Sequence, residues 1–336
     1  MDIGAVFENA ILQFIGFNAC YYAIAAIGLN VQFGYTGLLN FGQAAFMAAG
    51  AYGVGQTVSI FGISLWWGVA IGIGYAVFLG LLMGVPTLRL RADYLAIVTI
   101  ASAEIVRLIV RSVKFRDQFG GTDGLKGFAD AYQDVGVRIG LEPAGEYGFW
   151  IFTFSGRNLW NLMVGWSLVA IFGVIVWRLM KSPWGRVLKA IREDEDAVRS
   201  LGKNVYSYKM QSLVLGGVIG SFAGMMLALG NANVQPDNFS RNLTFFVLTG
   251  LVLGGVAKVT GSIIGPMMFW GLYAFLDSLL RELIDKPVRI GDFTLMQSTD
   301  VGVVVYMLMG ILLVVLMVYR PQGVFGNKKE MAFEGR

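Results

Sequence analysis

The sequence predicts an all-α, polytopic membrane protein with about nine spans, and three observations carry that prediction. Apolar residues recur in runs close to the roughly 20 residues that cross a bilayer. Only 14% of the 336 residues are charged and 56% are hydrophobic, whereas a soluble domain carries about 25% charge. The remaining charge gathers between the runs, most densely in "SPWGRVLKAIREDEDAVRSLGKNVYSYKMQ".

Residues 1–336 read as a single transmembrane unit, with spans expected at 10–29, 40–58, 64–85, 93–110, 159–177, 210–229, 243–257, 262–281 and 300–319. The first residues, "MDIGAVFENAILQ", are acidic where a cleaved signal would be basic, so the first run is expected to be retained. The stretch joining the first two runs, "GLNVQFGYTGLLNFGQ", mixes glycines with Asn30, Gln32, Asn40 and Gln43. The seventh run is short and ends at Gly254-Gly255. Irregular backbone survives at membrane depth only inside protein or beside a wet cavity. Both stretches are therefore read either as broken helices along a pathway, or as a tight turn and a tilted helix.

Within the fourth run, Glu104 lies toward the middle of the bilayer, with Arg107 and Arg111 at spacings that share its helix face. Charge at that depth needs a partner or water. Glu104 is thus read as lining the substrate route or as the partner of Arg107. In the sixth run Ser212, Gly216, Gly220, Gly224 and Ala228 recur every four residues. That stripe of small side chains lets another helix approach closely.

The charged segment predicts two short helices. One covers about 184–192 and the next about 195–201, capped near Asp194 and stopped by Gly202. Acidic Glu193, Asp194, Glu195 and Asp196 suit the positive start of a helix. Leu188, Ile191, Val198 and Leu201 recur at helical spacing. Helices this short are marginal alone, so they need a surface to lie on. That surface is expected in part on the protein's own cytosolic face and in part on a cytosolic partner, the alternative being a solvated charged loop.

Enzymatic chemistry has few components to work with. Histidine is absent and Cys20 is the sole cysteine, so the usual metal ligands and proton carrier are lacking. The Gly202-Lys203 pair has Ala197 where a phosphate-binding loop needs glycine. No enzyme activity, no directly bound cofactor or metal and no nucleic-acid partner is expected. The basic cluster at 178–209 and the tail "RPQGVFGNKK" place that loop and the C-terminus in the cytoplasm. The N-terminus and a long 111–158 segment then lie outside, with Arg157, Asp237, Arg241 and Arg289 as candidate rim contacts.

Several stretches in order, "GLNVQFGYTGLLNFGQAAFMAAGAYG", "RLRADYLAIVT", "FGGTDGL", "WGRVLKAIREDEDAVRSLGKNV", "LTGLVLGGVAKVTGSIIGP" and "RPQGVFG", resemble the M-type permeases of branched-chain amino acid ABC importers. The resemblance covers about 20–325. It implies a type II importer architecture in the inner (plasma) membrane. It also implies an H-type permease partner, two cytosolic ATPases that use ATP, and an extracytoplasmic substrate-binding protein. By the same resemblance, Gly185–Asn204 holds the coupling helix, with Arg186, Arg192, Glu193, Asp194, Glu195, Asp196, Leu201 and Gly202 its candidates. Gly34, Gly37, Asn40 and Gly42 belong to a pathway-side motif, joined by Asn30, Gln43 and Glu104. Similar permeases often carry histidine near position 43, and Gln43 here speaks against a proton-linked role at this position. Urea and short-chain amide importers share the family, and an autonomous ion-coupled transporter using Glu104 is the rival from another class.

Overall fold

The computed structural model describes residues 3–88, 92–149, 152–283, 288–290, 293–296, 300–320 and 322–326. All nine expected runs are helical. The first is a broken pair, α1 (Ile3–Phe14) and α2 (Phe17–Leu29), parted at Gly16, whose backbone is extended at ψ 173°. The expected single run 10–29 therefore begins earlier and is interrupted. Next come α3 (Gln43–Ser59), α4 (Leu65–Thr87) and α5 (Ala92–Arg111).

The segment expected as a long outer loop is folded. It contains α6 (Arg116–Phe119), β1 (Leu125–Lys126), α7 (Asp130–Arg138) and the hairpin β2 (Glu146–Phe149) with β3 (Phe152–Ser155). Phe128, Ala129 and Tyr132 are buried there, and the Trp160 indole donates to the Tyr132 carbonyl at 3.0 Å. Buried apolar side chains explain why this segment packs as a cap.

Next follow α8 (Gly156–Lys181), α9 (Pro183–Glu193), α10 (Glu195–Ser200) and α11 (Val205–Asn231). Then come β4 (Asn233–Val234), α12 (Arg241–Gly254), α13 (Val259–Leu283), β5 (Val288–Ile290), β6 (Phe293–Met296) and α14 (Val301–Tyr319). β4 pairs antiparallel with β1, Leu125 opposite Val234, and so ties the cap to the end of α11. β5 and β6 form a further two-stranded hairpin.

Among the described residues, five segments are long and apolar enough to cross a membrane: Gly4–Tyr35, Leu65–Thr87, Gly156–Lys181, Val205–Asn231 and Val259–Leu283. Arg241–Gly254 and Val301–Leu316 are shorter apolar helices. Outward faces carry Trp66, Trp67 and Phe78 on α4, Ile171 and Val174 on α8, and Val303 and Val314 on α14. Apolar surface of this extent belongs in lipid, and the chain is a multi-pass membrane protein.

α11 forms the centre, packed on α2, α3 and α4. Its small-residue stripe explains the closeness. A Cβ at Gly216 would sit 2.5 Å from the Gly28 carbonyl oxygen of α2. One at Gly224 would overlap the Met47 carbonyl of α3, and one at Gly220 the Gln43 amide. Backbone-to-backbone approach of this kind is how helices gain packing energy in lipid.

The helices leave two distinct ends. At one, the cap meets β4 and the ends of α3 and α11: Ser59 bonds the Lys126 carbonyl, and Arg157, at the start of α8, donates to the Gly230 carbonyl at 3.3 Å. At the other, α9 packs beside the 30–35 turn, which Asn30 joins to the 255–258 turn, and Lys258 joins that turn to residues 322–326.

Candidate functional site: a lever seated on a helix break

Two short helices form where the charge pattern places them. Ser182 caps α9 through its hydroxyl, and Asp194 caps α10 by accepting the Asp196 and Ala197 amides, each at 3.0 Å. Gly202 ends the unit at φ +78°, a conformation that favours glycine. Leu188, Ile191 and Val198 are buried against the protein's own helices. Leu201 belongs to the same apolar period but is 79% exposed. Glu193 and Asp196 also face out, while Glu195 pairs with Lys209 at the root of α11 and with Arg199 at 3.0 Å. The lever is thus clamped on its inner face, while its outer face carries charges of both signs, Glu193, Asp194 and Asp196 together with Arg186, Lys189, Arg199 and Lys203, beside the exposed Leu201. Asp194→Ala is expected to cost about 1 kcal/mol and to speed hydrogen exchange at the Asp196 and Ala197 amides. Unchanged exchange there would show that the cap does not hold α10.

Beneath the lever lies the first break. Residues Asn30–Tyr35 form a π-helical turn that continues α2, and 37–42 are non-helical. The polar side chains are not open to a ligand here. Asn30, Gln32, Asn40 and Gln43 are all buried, and they mend the irregular backbone. Gln32 donates to the Leu213 carbonyl at 2.9 Å, and Asn40 donates to Gln32 at 2.7 Å while accepting the Gly42 amide at 2.8 Å. Thr36 shares a 2.7 Å bond with Ser212, Thr99 accepts the Phe41 amide, and Thr244 accepts the Ala44 amide. Each such bond spares a buried group a desolvation cost of about 1–3 kcal/mol. Gln43 is the loosest member. Its amide nitrogen reaches the Gly216 and Ala25 carbonyls only at 3.3 and 3.5 Å, and its Oε1 has no partner. Gly37 turns the chain at φ +73°, and a Cβ there would lie 3.3 Å from Arg192 Cγ.

The second break follows α12. Gly255 at φ +116° and Ala257 at φ +61° reverse the chain into α13. The motif "GVFG" docks on this break: the Val324 and Phe325 amides donate to the Leu253 and Gly254 carbonyls at 2.9 and 3.0 Å. Lys258 Nζ donates to the Phe325 carbonyl at 2.8 Å. Sequence reasoning marked the motif without placing it. Its glycines were the available signal, since Gly323 adopts φ +75° against the Val252 carbonyl.

Glu104 lies toward the cap end of α5, beyond Thr99, the α5 residue that meets the first break. Arg107 donates to both its oxygens, at 2.6 to 3.2 Å, and reaches Asp237 at 2.7 Å. Arg111 also bonds Asp237, at 3.1 Å. The local spacing anticipated the Glu104–Arg107 pair; Asp237, expected as a rim contact, is the member it missed. Arg241 is exposed at the same end. The side chain of Arg289, residues 89–91 of "RLRADY", the basic residues beyond 326 and most of 284–299 lie outside the described residues.

Residues 11–317 match the family described as branched-chain amino acid transport system / permease component. The chain belongs to that family. The high-affinity branched-chain amino acid transport system permease protein LivM of Escherichia coli (strain K12) is 31% identical over 90% of this chain and 67% of its own length. A probable branched-chain amino acid transport permease LivM of Methanocaldococcus jannaschii is 27% identical over 91% of both chains. Among solved structures, an inward-facing putative metal-chelate type ABC transporter superposes loosely, at TM-score 0.44 and 15% identity over 92% of this chain and 85% of its own. The M-type permease resemblance therefore holds over nearly the whole chain, and the lever and helix breaks are features of a transport permease.

Proposed function

We propose that this permease is the membrane subunit of an ATP-driven importer that carries branched-chain amino acids into the cytoplasm. The observation that carries the proposal is the lever itself: Arg192 holds it to the first helix break on one face, and the other face presents exposed Leu201 among charged side chains. A surface of that kind suits a motor that pushes from outside the membrane. Two cytosolic ATPases bind and hydrolyse ATP and dock on Arg186, Glu193, Asp194, Glu195, Asp196, Leu201 and Gly202. A second, H-type permease completes the gate, and an extracytoplasmic binding protein delivers substrate to the cap end. The chain sits in the inner membrane with the lever and C-terminus in the cytoplasm, an orientation that the basic cluster at 178–209 favours. Asn30, Gly34, Gly37, Asn40 and Gln43 act here as the moving wall of the route rather than as fixed ligands.

The test is uptake into liposomes holding the full complex, with ATP at the ATPase face. Leucine, isoleucine and valine are expected to accumulate, and urea is not. Urea uptake without leucine uptake would assign the permease to amide transport. Glu104 serves the rim network in this account. Glu104→Gln is expected to cost about 1 kcal/mol, lowering the melting temperature by a few degrees while ATP-driven uptake continues. Abolished uptake with an unchanged melting temperature would instead place Glu104 on the route.

A further inference from the structure

We infer that the two helix breaks move as one unit, gripped by Arg192, pinned together by Asn30 and braced by residues 322–326. The inference rests on the proposed function for the source of the push; the linkage itself is read from bonds within this chain. Arg192, in the last turn of α9, donates from Nη1 to the Gly34 carbonyl at 2.7 Å. Gly34 sits near the end of the π-helical turn, where carbonyls run out of ladder partners. A guanidinium has a planar fork of donors suited to holding such an oxygen.

Asn30 spans from this turn to the second break. Its Oδ1 accepts the Ala257 amide at 2.9 Å, and its Nδ2 donates to the Lys258 carbonyl at 3.0 Å. The side chain thereby bonds two consecutive residues of the partner segment and is fully buried. Gly34 is fitted to this clasp: a Cβ on it would overlap Asn30 Oδ1 and lie 2.8 Å from the Ala257 nitrogen. Ala257 keeps a left-handed conformation unusual for a residue with a side chain, which needs surroundings that over-determine it. Asn30 on one side and the Lys258–Phe325 bond on the other supply those surroundings.

The π-helical turn is the element able to change state. Its widened ladder is rare, occurs often at functional sites and differs from an α-helix by one residue of register. Tilting α9 would pull the Gly34 carbonyl, shift that register and draw 255–258 with it through Asn30. Because 322–326 is bonded to the last carbonyls of α12, the C-terminal turn would follow. This gives the closing "GVFG" a mechanical role.

Hydrogen exchange on the full complex in nanodiscs, with and without a non-hydrolysable ATP analogue, tests the linkage without needing the transported substrate. In the wild type, residues 195–201, 30–36 and 255–258 are expected to change exchange together. Arg192→Ala is expected to keep the response at 195–201 and to reduce it at both breaks by at least about fivefold, with Arg192→Lys restoring part. Asn30→Ala is expected to keep the response at 30–36 and lose it at 255–258. Should that variant not fold, Lys258→Met, which removes an exposed contact but leaves the Val324 and Phe325 amide bonds to α12, is expected to reduce the response at 322–326 in part while leaving that at 30–36 and 255–258. A wild-type response confined to 195–201 would overturn the linkage, as would an undiminished response at 255–258 in Arg192→Ala. No response at 195–201 in the wild type would count against the proposed function itself.

Discussion

Replacing Leu201 by aspartate is expected to release the cytosolic ATPases from the membrane complex. The other apolar members of its helical period, Leu188, Ile191 and Val198, are already buried within this chain, so their substitution would damage the lever itself. Leu201 is different: it is exposed, follows the C-terminus of α10 and is flanked by Gly202. An apolar anchor that fills a partner's pocket typically contributes about 2 kcal/mol or more to binding, about a 30-fold change in affinity. Placing a carboxylate in that pocket adds the cost of an unpaired charge. Arg199→Ala is the matched control, because its pairs with Glu195 and Asp196 are exposed and such pairs contribute under about 1 kcal/mol. Co-purification of the ATPases, followed by titration in detergent, measures both variants. Full retention of the ATPases by Leu201→Asp would show that the lever's outer face is not the docking site.

Gly224→Leu is expected to prevent assembly of the folded permease. At this position the α11 backbone lies against the Met47 carbonyl of α3, leaving no room even for a Cβ. Relief would require α11 and α3 to separate along their shared length. Overpacking a tight core by a few methylenes costs about 1–3 kcal/mol where side chains can yield. Here the obstacle is backbone, so the milder Gly224→Ala is already expected to reach that range, with melting lowered by several degrees. Fluorescence-detected size exclusion and thermal melting distinguish the outcomes. A monodisperse Gly224→Leu protein with wild-type melting would mean that the α11–α3 approach is looser than described.

What could be read from the sequence follows the range of the interactions involved. The helices, the Asp194 cap, the Gly202 stop and the four-residue stripe on α11 all arise from spacings within one or two turns. Local pattern is enough for these. The Glu104–Arg107 pair is legible for the same reason. By contrast, Asn30 meets Lys258, Lys258 meets Phe325 and Arg107 meets Asp237 across long stretches of chain, and no local period marks such pairs. The polar residues at 30–43 were therefore recognised as unusual, while their work as backbone partners was not. The fold of 111–158 was missed for a related reason: it depends on a two-residue strand pairing with the far end of α11. Leu201, read as part of the docking helix, keeps the period of the buried face but lies just beyond the last helical turn and is exposed.

The account depends on the lever lying in the cytoplasm beneath a motor, and labelling of a single introduced thiol tests this most directly. The sole native cysteine, Cys20, is fully buried, so Leu201→Cys supplies one reactive site. With a membrane-impermeant maleimide, right-side-out vesicles are expected to remain unlabelled. Inverted vesicles stripped of ATPases are expected to label at position 201, and adding the ATPases back is expected to protect it. Labelling of right-side-out vesicles, or labelling that the ATPases leave undiminished, would contradict the account.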